Sequence, residues 1–314
     1  MLRPFDNAHA EAVLPSPRFG LSSSARVMPE PVRDPPRGEP SLTRDVGTRG
    51  ARVRFHEAGS GPPLLLVHGF LWSGAVWDDV FPRLARTFRV IVPDLPGFGE
   101  SEKPSPARYP YGFEGFAESL VDLVAALGVG RISVCGHSMG GAVALMLAAN
   151  HPDLVEKLIV VDPTVYGSRR NAAASIATLP ILGPILFKQM YGRATFRRFF
   201  RENVYAREDA APAQRLERMF ETFNAPAARE AAYATMLSTL DTRPLVASVP
   251  RVNAPTLVAW GRSDRSVPVE HGRRLARELR RARFEVFDCG HSPAEEVPNA
   301  FAEVAEAFLR GKAP

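Results

Sequence analysis

Six short apolar runs, at residues 64–67, 90–92, 132–135, 158–161, 256–260 and 284–287, recur along this chain with helix-like segments between them. Short runs without apolar–polar alternation are what strands look like when both faces are covered, as in a parallel sheet. The segments between carry a helical period: within 113–127, Phe116, Leu120, Leu123, Val124 and Leu127 fall on one face, and 269–279 precedes the last run as a further helix. Strands and helices in alternation predict an α/β fold, a doubly wound and mostly parallel sheet. Residues 52–57 differ, alternating Val53 and Phe55 with Arg52, Arg54 and His56. That predicts a half-exposed antiparallel strand after a turn at 47–50.

Two intervals break the rhythm. Residues 1–42 hold eight prolines and no hydrophobic period, so this segment is expected to be a disordered tail. Between Asp162 and Pro255 the composition is helical with no convincing strand. Residues 166–240 read as a helical cap inserted in a core formed by 43–165 and 241–314, lying over the carboxyl ends of the strands where ligands bind in such sheets.

With 314 residues, 45% hydrophobic and 23% charged, the chain has enough apolar material for a substantial core, which excludes disordered and collagenous classes. Residues 179–187 form the longest nearly uninterrupted apolar run; it contains Pro180, Gly183 and Pro184 and is about half of the ~20 residues a bilayer span needs. No transmembrane helix is expected. The first thirty residues, broken by Asp6, Glu11, Pro15, Pro17 and Pro29, lack the apolar stretch of a secretory signal, so a cytoplasmic location is the expectation. The net charge of +5 is scattered arginine among acids, and without an accompanying recognition motif no nucleic-acid partner is expected. Cys135 and Cys289 read as small packing residues at strand ends.

The chemistry is concentrated in Gly136-His137-Ser138-Met139-Gly140, which follows the 132–135 run and precedes a helical segment. A Gly-x-Ser-x-Gly between strand and helix puts the serine on a tight turn with its hydroxyl projecting from the sheet. The amino end of the next helix adds partial positive charge where an oxyanion would develop. Further motifs occur in order: His68-Gly69-Phe70 after a strand, Asp94-Leu95-Pro96-Gly97-Phe98-Gly99-Glu100-Ser101, Gly261-Arg262-Ser263-Asp264, and Gly290-His291-Ser292-Pro293.

On these motifs the sequence resembles the α/β-hydrolase superfamily over about residues 45–310. The resemblance implies Ser138 as nucleophile, Asp264 after the penultimate strand as orienting acid and His291 after the last strand as base. It assigns an oxyanion hole to the backbone N–H groups of Phe70 and Met139. Asp162, after the 158–161 run, is the alternative acid, because related proteins sometimes place it there. His68 is expected to shape its loop, His137 to pack or line the pocket, and the Asp94–Ser101 motif to be architectural.

The expected partner is a small hydrophobic ester-like substrate, and no cofactor or metal is inferred. Epoxide opening and halide removal are disfavoured, because superfamily members with those activities carry aspartate where Ser138 stands. A carbon–carbon bond hydrolase, a perhydrolase-like enzyme and an acyltransferase use the same residues and remain alternatives, as does a non-catalytic ligand-binding protein. Residues 179–187 are apolar enough to line an acyl pocket or to seat the cap on the core. Arg197-Arg198-Phe199-Phe200-Arg201 reads as an amphipathic cap helix in preference to a membrane-surface element.

Overall fold

A computed structural model of the chain describes residues 42–167, 183, 187, 192–207 and 212–311. In chain order its strands are β1 (Leu42–Thr48), β2 (Ala51–Ala58), β3 (Pro63–Val67), β4 (Arg89–Pro93), β5 (Ile132–His137), β6 (Val155–Val161), β7 (Thr256–Gly261) and β8 (Ala282–Phe287). The helices are α1 (Phe81–Leu84), α2 (Phe113–Ala126), α3 (Met139–Asn150), α4 (Arg193–Asn203), α5 (Ala213–Phe223), α6 (Pro226–Ser238), α7 (Arg243–Ser248), α8 (Val269–Glu278), α9 (Pro293–Glu296) and α10 (Pro298–Leu309).

The strands form one sheet in the order β1-β2-β4-β3-β5-β6-β7-β8. β2 pairs antiparallel with β1 and β4, and from β4 to β8 every pairing is parallel. The six apolar runs are the six parallel strands, and the 52–57 segment is β2, with Val53 and Phe55 buried and Arg52 exposed. Leu42, the last residue read as tail, is the first residue of β1. β8 departs from the expectation of a strand covered on both faces: it lies at the sheet edge, and only Phe287 of its six residues is buried. Arg283 and Glu285, two apart and so on one face of the strand, form a half-exposed ion pair there at 3.0 Å.

β5 and α3 lie at the centre. All six residues of β5 are buried, and in α3 every residue from Met139 to Ala149 is buried, so this helix is apolar all round rather than amphipathic. Truncating Leu145 there to alanine would cost ~2–5 kcal/mol through lost burial and a residual cavity. The turn at Ser138 is thus built between two buried elements.

Between β6 and β7 the described residues form α4 to α7 and a short 3-10 turn, with no strand among them. Phe196, Phe200, Phe220 and Phe223 are buried together, with the Phe196 ring 4.8 Å from Phe200, 5.6 Å from Phe220 and 5.5 Å from Phe223. Phe200 also meets Trp72 edge-on at 4.8 Å, which joins these helices to the loop after β3. Of residues 179–187 only Gly183 and Phe187 are described, and Phe187 is buried with its ring 5.4 Å from Tyr233. No helix among the described residues is long and apolar enough to cross a membrane.

Candidate active site

Ser138 sits between β5 and α3 with φ of 54°, in the left-handed region that costs a non-glycine residue energy and is tolerated where the surroundings over-determine it. Its amide donates to the Val161 carbonyl at 2.8 Å, and its own carbonyl accepts from Gly141 at 3.0 Å. A Cβ at Gly136 would fall on the Gly140 backbone, and one at Gly140 would fall on the carbonyls of Val67 and His68, so the turn closes only with glycine at both places. Ser138 occupies the N-cap position of α3, yet its hydroxyl caps nothing. That hydroxyl lies 2.9 Å from Nε2 of His291.

His291 Nδ1 is in turn 2.7 Å from Asp264 Oδ2. Asp264 Oδ1 accepts the amides of Ser266 at 2.7 Å and Val267 at 2.9 Å, which orients the carboxylate. Both side chains are buried. β7 and β8 are adjacent and parallel, so the loops after them emerge together at the edge where β5 delivers Ser138. Ser138 meets His291, 153 positions further along the chain, because parallel strands place all their carboxyl ends on one side.

The loop after β3 passes against the elbow: a Cβ added at Gly69 would sit 3.0 Å from Ser138 Cβ. Phe70 follows it, and Met139 opens α3; neither amide takes part in a turn or loop hydrogen bond among the described residues. His68 is buried, with Nδ1–H donating to the Gly69 carbonyl at 2.8 Å and Nε2 accepting the Leu95 amide at 2.9 Å, the loop-shaping part expected of it. Asp94 accepts the amides of Gly74 and Glu100, both at 2.7 Å, and Ser101 donates to the Asp94 carbonyl at 2.6 Å. A Cβ at Gly99 would collide with the Asp94 carboxylate, so this motif is a turn locked around one buried acid.

The family model of the alpha/beta hydrolase fold matches residues 62–298. The chain belongs to the α/β-hydrolase family. It is 30% identical over 297 residues to the 2-hydroxymuconate semialdehyde hydrolase of Pseudomonas sp. (strain CF600), covering 87% of this chain and 96% of that one. It is also 30% identical over 262 residues to the pimeloyl-(acyl-carrier protein) methyl ester esterase of Nitrosomonas europaea, with 82% and 100% covered. Among solved structures, a thermophilic esterase from Thermogutta terrifontis superposes with a TM-score of 0.74 at 27% identity, over 86% of this chain and 98% of that one. This α/β hydrolase is a hydrolytic enzyme acting on a small molecule.

The electrostatics of its site separate two neighbouring carboxyls. Burial alone would raise the Asp264 carboxyl, but the charge and hydrogen bond of His291, with help from Val267 N–H and Asp162, outweigh it and hold it below the ordinary range. Asp162, at the end of β6 with φ of 47°, is fully buried; burial and the charge on Asp264 push its carboxyl well above the ordinary range despite a hydrogen bond from Gly261 N–H at 2.8 Å. Their environments therefore push the two carboxyls in opposite directions, Asp162 toward its protonated form and Asp264 toward its ionised form. The donor atoms of Asp162, Asp264 and His291 lie within 4.8 Å of one another. Those of Asp264 and His291 are already spent on each other, on Ser138 and on backbone amides, which favours a proton relay over a cation site.

His137 packs, as expected of it: its Nε2–H donates to the His291 carbonyl at 2.7 Å, its ring meets Trp72 edge-on at 5.0 Å, and burial next to His291 pushes its pKa down to about 3. Burial pushes both cysteine thiols up, in keeping with packing residues. Sequence reasoning passed over Trp72, Arg215, Glu295 and Glu296. Trp72 bridges His137, His291 and Phe200. The one available signal for the glutamates was their spacing, just behind His291 in the first turn of a helix, where acids usually serve only the helix dipole.

Proposed function

We propose that this α/β hydrolase is a cofactor-independent serine hydrolase that cleaves a carboxylic ester with a hydrophobic acyl or alcohol part. The observation that carries the reading is the unbroken chain of contacts from Ser138 Oγ through both nitrogens of His291 to Asp264. A serine hydroxyl is a weak nucleophile until a base takes its proton. His291 Nε2 accepts the Oγ proton as Oγ bonds to the ester carbon, and Asp264 steadies the imidazolium that forms. The tetrahedral oxyanion is stabilised by the N–H groups of Phe70 and Met139 and by the amino end of α3. Its collapse breaks the bond to the alkoxy oxygen, which leaves with the proton from Nε2. Water then repeats the cycle on the acyl-enzyme, releasing the acid and restoring Ser138.

The cap, residues 166–240, covers the strand ends on this reading and supplies the apolar wall that selects the acyl or alcohol part. Support for an ester comes from the two esterases to which the chain is similar. The likeness to a 2-hydroxymuconate semialdehyde hydrolase favours a second reading, hydrolysis of a carbon–carbon bond in a vinylogous diketone by the same residues. A panel of aryl esters of increasing acyl length, assayed beside a vinylogous diketone, separates the two. The ester reading expects the highest kcat/KM on an ester of medium acyl length; a higher value on the diketone with every ester slow overturns it.

A further inference from the structure

His291 is not held by the sheet. β8 ends at Phe287 and α9 begins at Pro293, so the histidine stands in a short loop whose backbone groups have no ladder to join. A base that must stay within hydrogen-bonding distance of Ser138 needs that loop fixed by something else. His137 of β5 holds the His291 carbonyl and the Ser263 amide holds the Cys289 carbonyl, and the remaining partners come from the acids behind the loop and from the segment after α4.

Three backbone amides converge on one carboxylate. Glu296 Oε1 accepts from Gly290 at 2.8 Å and Ser292 at 3.3 Å, the residues on either side of His291, and Oε2 accepts from Ala206 at 2.7 Å. Ala206 lies just beyond α4, and two residues before it the Val204 carbonyl accepts the amide of His291 itself at 2.6 Å. A Cβ at Gly290 would overlap the Val204 carbonyl and the Ala206 amide, so the two chains run in contact. Glu295 makes the same join through side chains. Its Oε2 accepts from Ser292 Oγ at 2.7 Å and from the Tyr205 hydroxyl at 3.0 Å, and its Oε1 pairs with Arg215 of α5 at 2.6 Å. Arg215 also reaches Asp79 at 3.0 Å, which ties α5 to the core a second time. The Glu295 side chain is 2% exposed and Arg215 10%, so this pair is not a screened surface contact.

We propose that Glu296 is a positioning residue that couples the seating of the cap to the placement of His291, with Glu295, Tyr205 and Arg215 as the anchor. The inference rests on the reading of His291 as the base. A carboxylate has about four lone-pair sites, and Glu296 uses them to satisfy two loop amides and one cap amide together. If the segment 204–206 lifts, the loop loses both the Val204 acceptor and the bridge through Glu296, and Nε2 drifts from Ser138. Cap position is thereby converted into base alignment, so the chemical step responds to the cap independently of how well the cap grips substrate.

Glu296→Gln tests this, since one oxygen still accepts while the amide nitrogen is turned against a donor. With a short aryl ester, kcat is expected to fall about 10- to 100-fold with KM within about threefold. Labelling of Ser138 by a fluorophosphonate should slow in proportion, with circular dichroism and cooperative unfolding as in the parent. A raised KM at unchanged kcat, or parental kcat and labelling, overturns the proposal. If Glu296→Gln does not fold, Tyr205→Phe combined with Ser292→Ala carries the test, because it spares both carboxylates: a fall in kcat at constant KM supports the coupling and a parental kcat refutes it. Ser138→Ala is the control. Should that variant stay active, the serine-hydrolase reading and the coupling both fall; should it be dead while Glu296→Gln is parental, only the coupling does.

Discussion

Asp162 and Gly261 join two strand ends: the Asp162 carboxylate accepts the Gly261 amide at 2.8 Å, and three residues further on from Gly261 stands Asp264, bonded to His291. Geometry separates the two acids: Asp264 meets His291 Nδ1 at 2.7 Å, while Asp162 holds the strand end from which Asp264 emerges.

Asp264→Asn and Asp162→Asn should consequently differ sharply. Asparagine at 264 favours the wrong histidine tautomer, which in a worked serine-protease case costs about 10⁴ in kcat. At 162 an amide is close to isosteric with the carboxyl and keeps an oxygen for Gly261 N–H, so kcat should fall less than about tenfold. Steady-state kinetics on both folded variants checks this. A larger loss for Asp162→Asn would move the orienting acid to the end of β6.

Ser138→Ala should lower ester turnover by at least about 10⁴-fold while leaving stability within ~1 kcal/mol, because alanine meets the same left-handed strain and loses no capping bond. A residual rate about 10³-fold above water is compatible, since the oxyanion hole acts without the nucleophile. Retained turnover in a preparation free of parent enzyme would rule Ser138 out.

Acidification should destabilise the fold through His137. Burial pushes its pKa down to about 3 from an ordinary 6.5, so between those limits the unfolded chain binds more protons and stability rises with pH. His68, also pushed down by burial, adds to that slope, while Asp162, pushed up, opposes it above the ordinary aspartate range. His137→Gln keeps an N–H for the His291 carbonyl but cannot take the proton. Between about pH 7 and about pH 5 the parent should lose about 2 kcal/mol more than this variant in urea unfolding. Equal losses would show that His137 does not carry the effect.

Deleting residues 1–41, which stops short of β1, should leave kcat/KM within about twofold and Tm within about 2 °C, since that segment lacks the apolar content to dock on a core. A larger fall in Tm would make it structural.

What the sequence by itself determined is whatever short-range pattern encodes. Apolar runs marked the parallel strands, glycines with no room for a Cβ marked the elbow, and each of Ser138, Asp264 and His291 was legible because it stands within a short loop of a strand's carboxyl end. β8 was misjudged as covered on both faces, since a run of four residues does not say where in the sheet a strand lies or how far helices extend over it. Only the tertiary structure decided the rest. Asp162 and Asp264 look alike in sequence, and it is burial and the charge on Asp264 that push one carboxyl up, and the charge and hydrogen bond of His291 that hold the other down, all set by strands brought together in space. Glu296 reads locally as a first-turn helix acid; its three amides come from Gly290, Ser292 and Ala206, and the last of these is ninety residues away along the chain. Hydrogen bonds to backbone amides carry no side-chain identity, so no pattern of residue types announces them before the chain has folded.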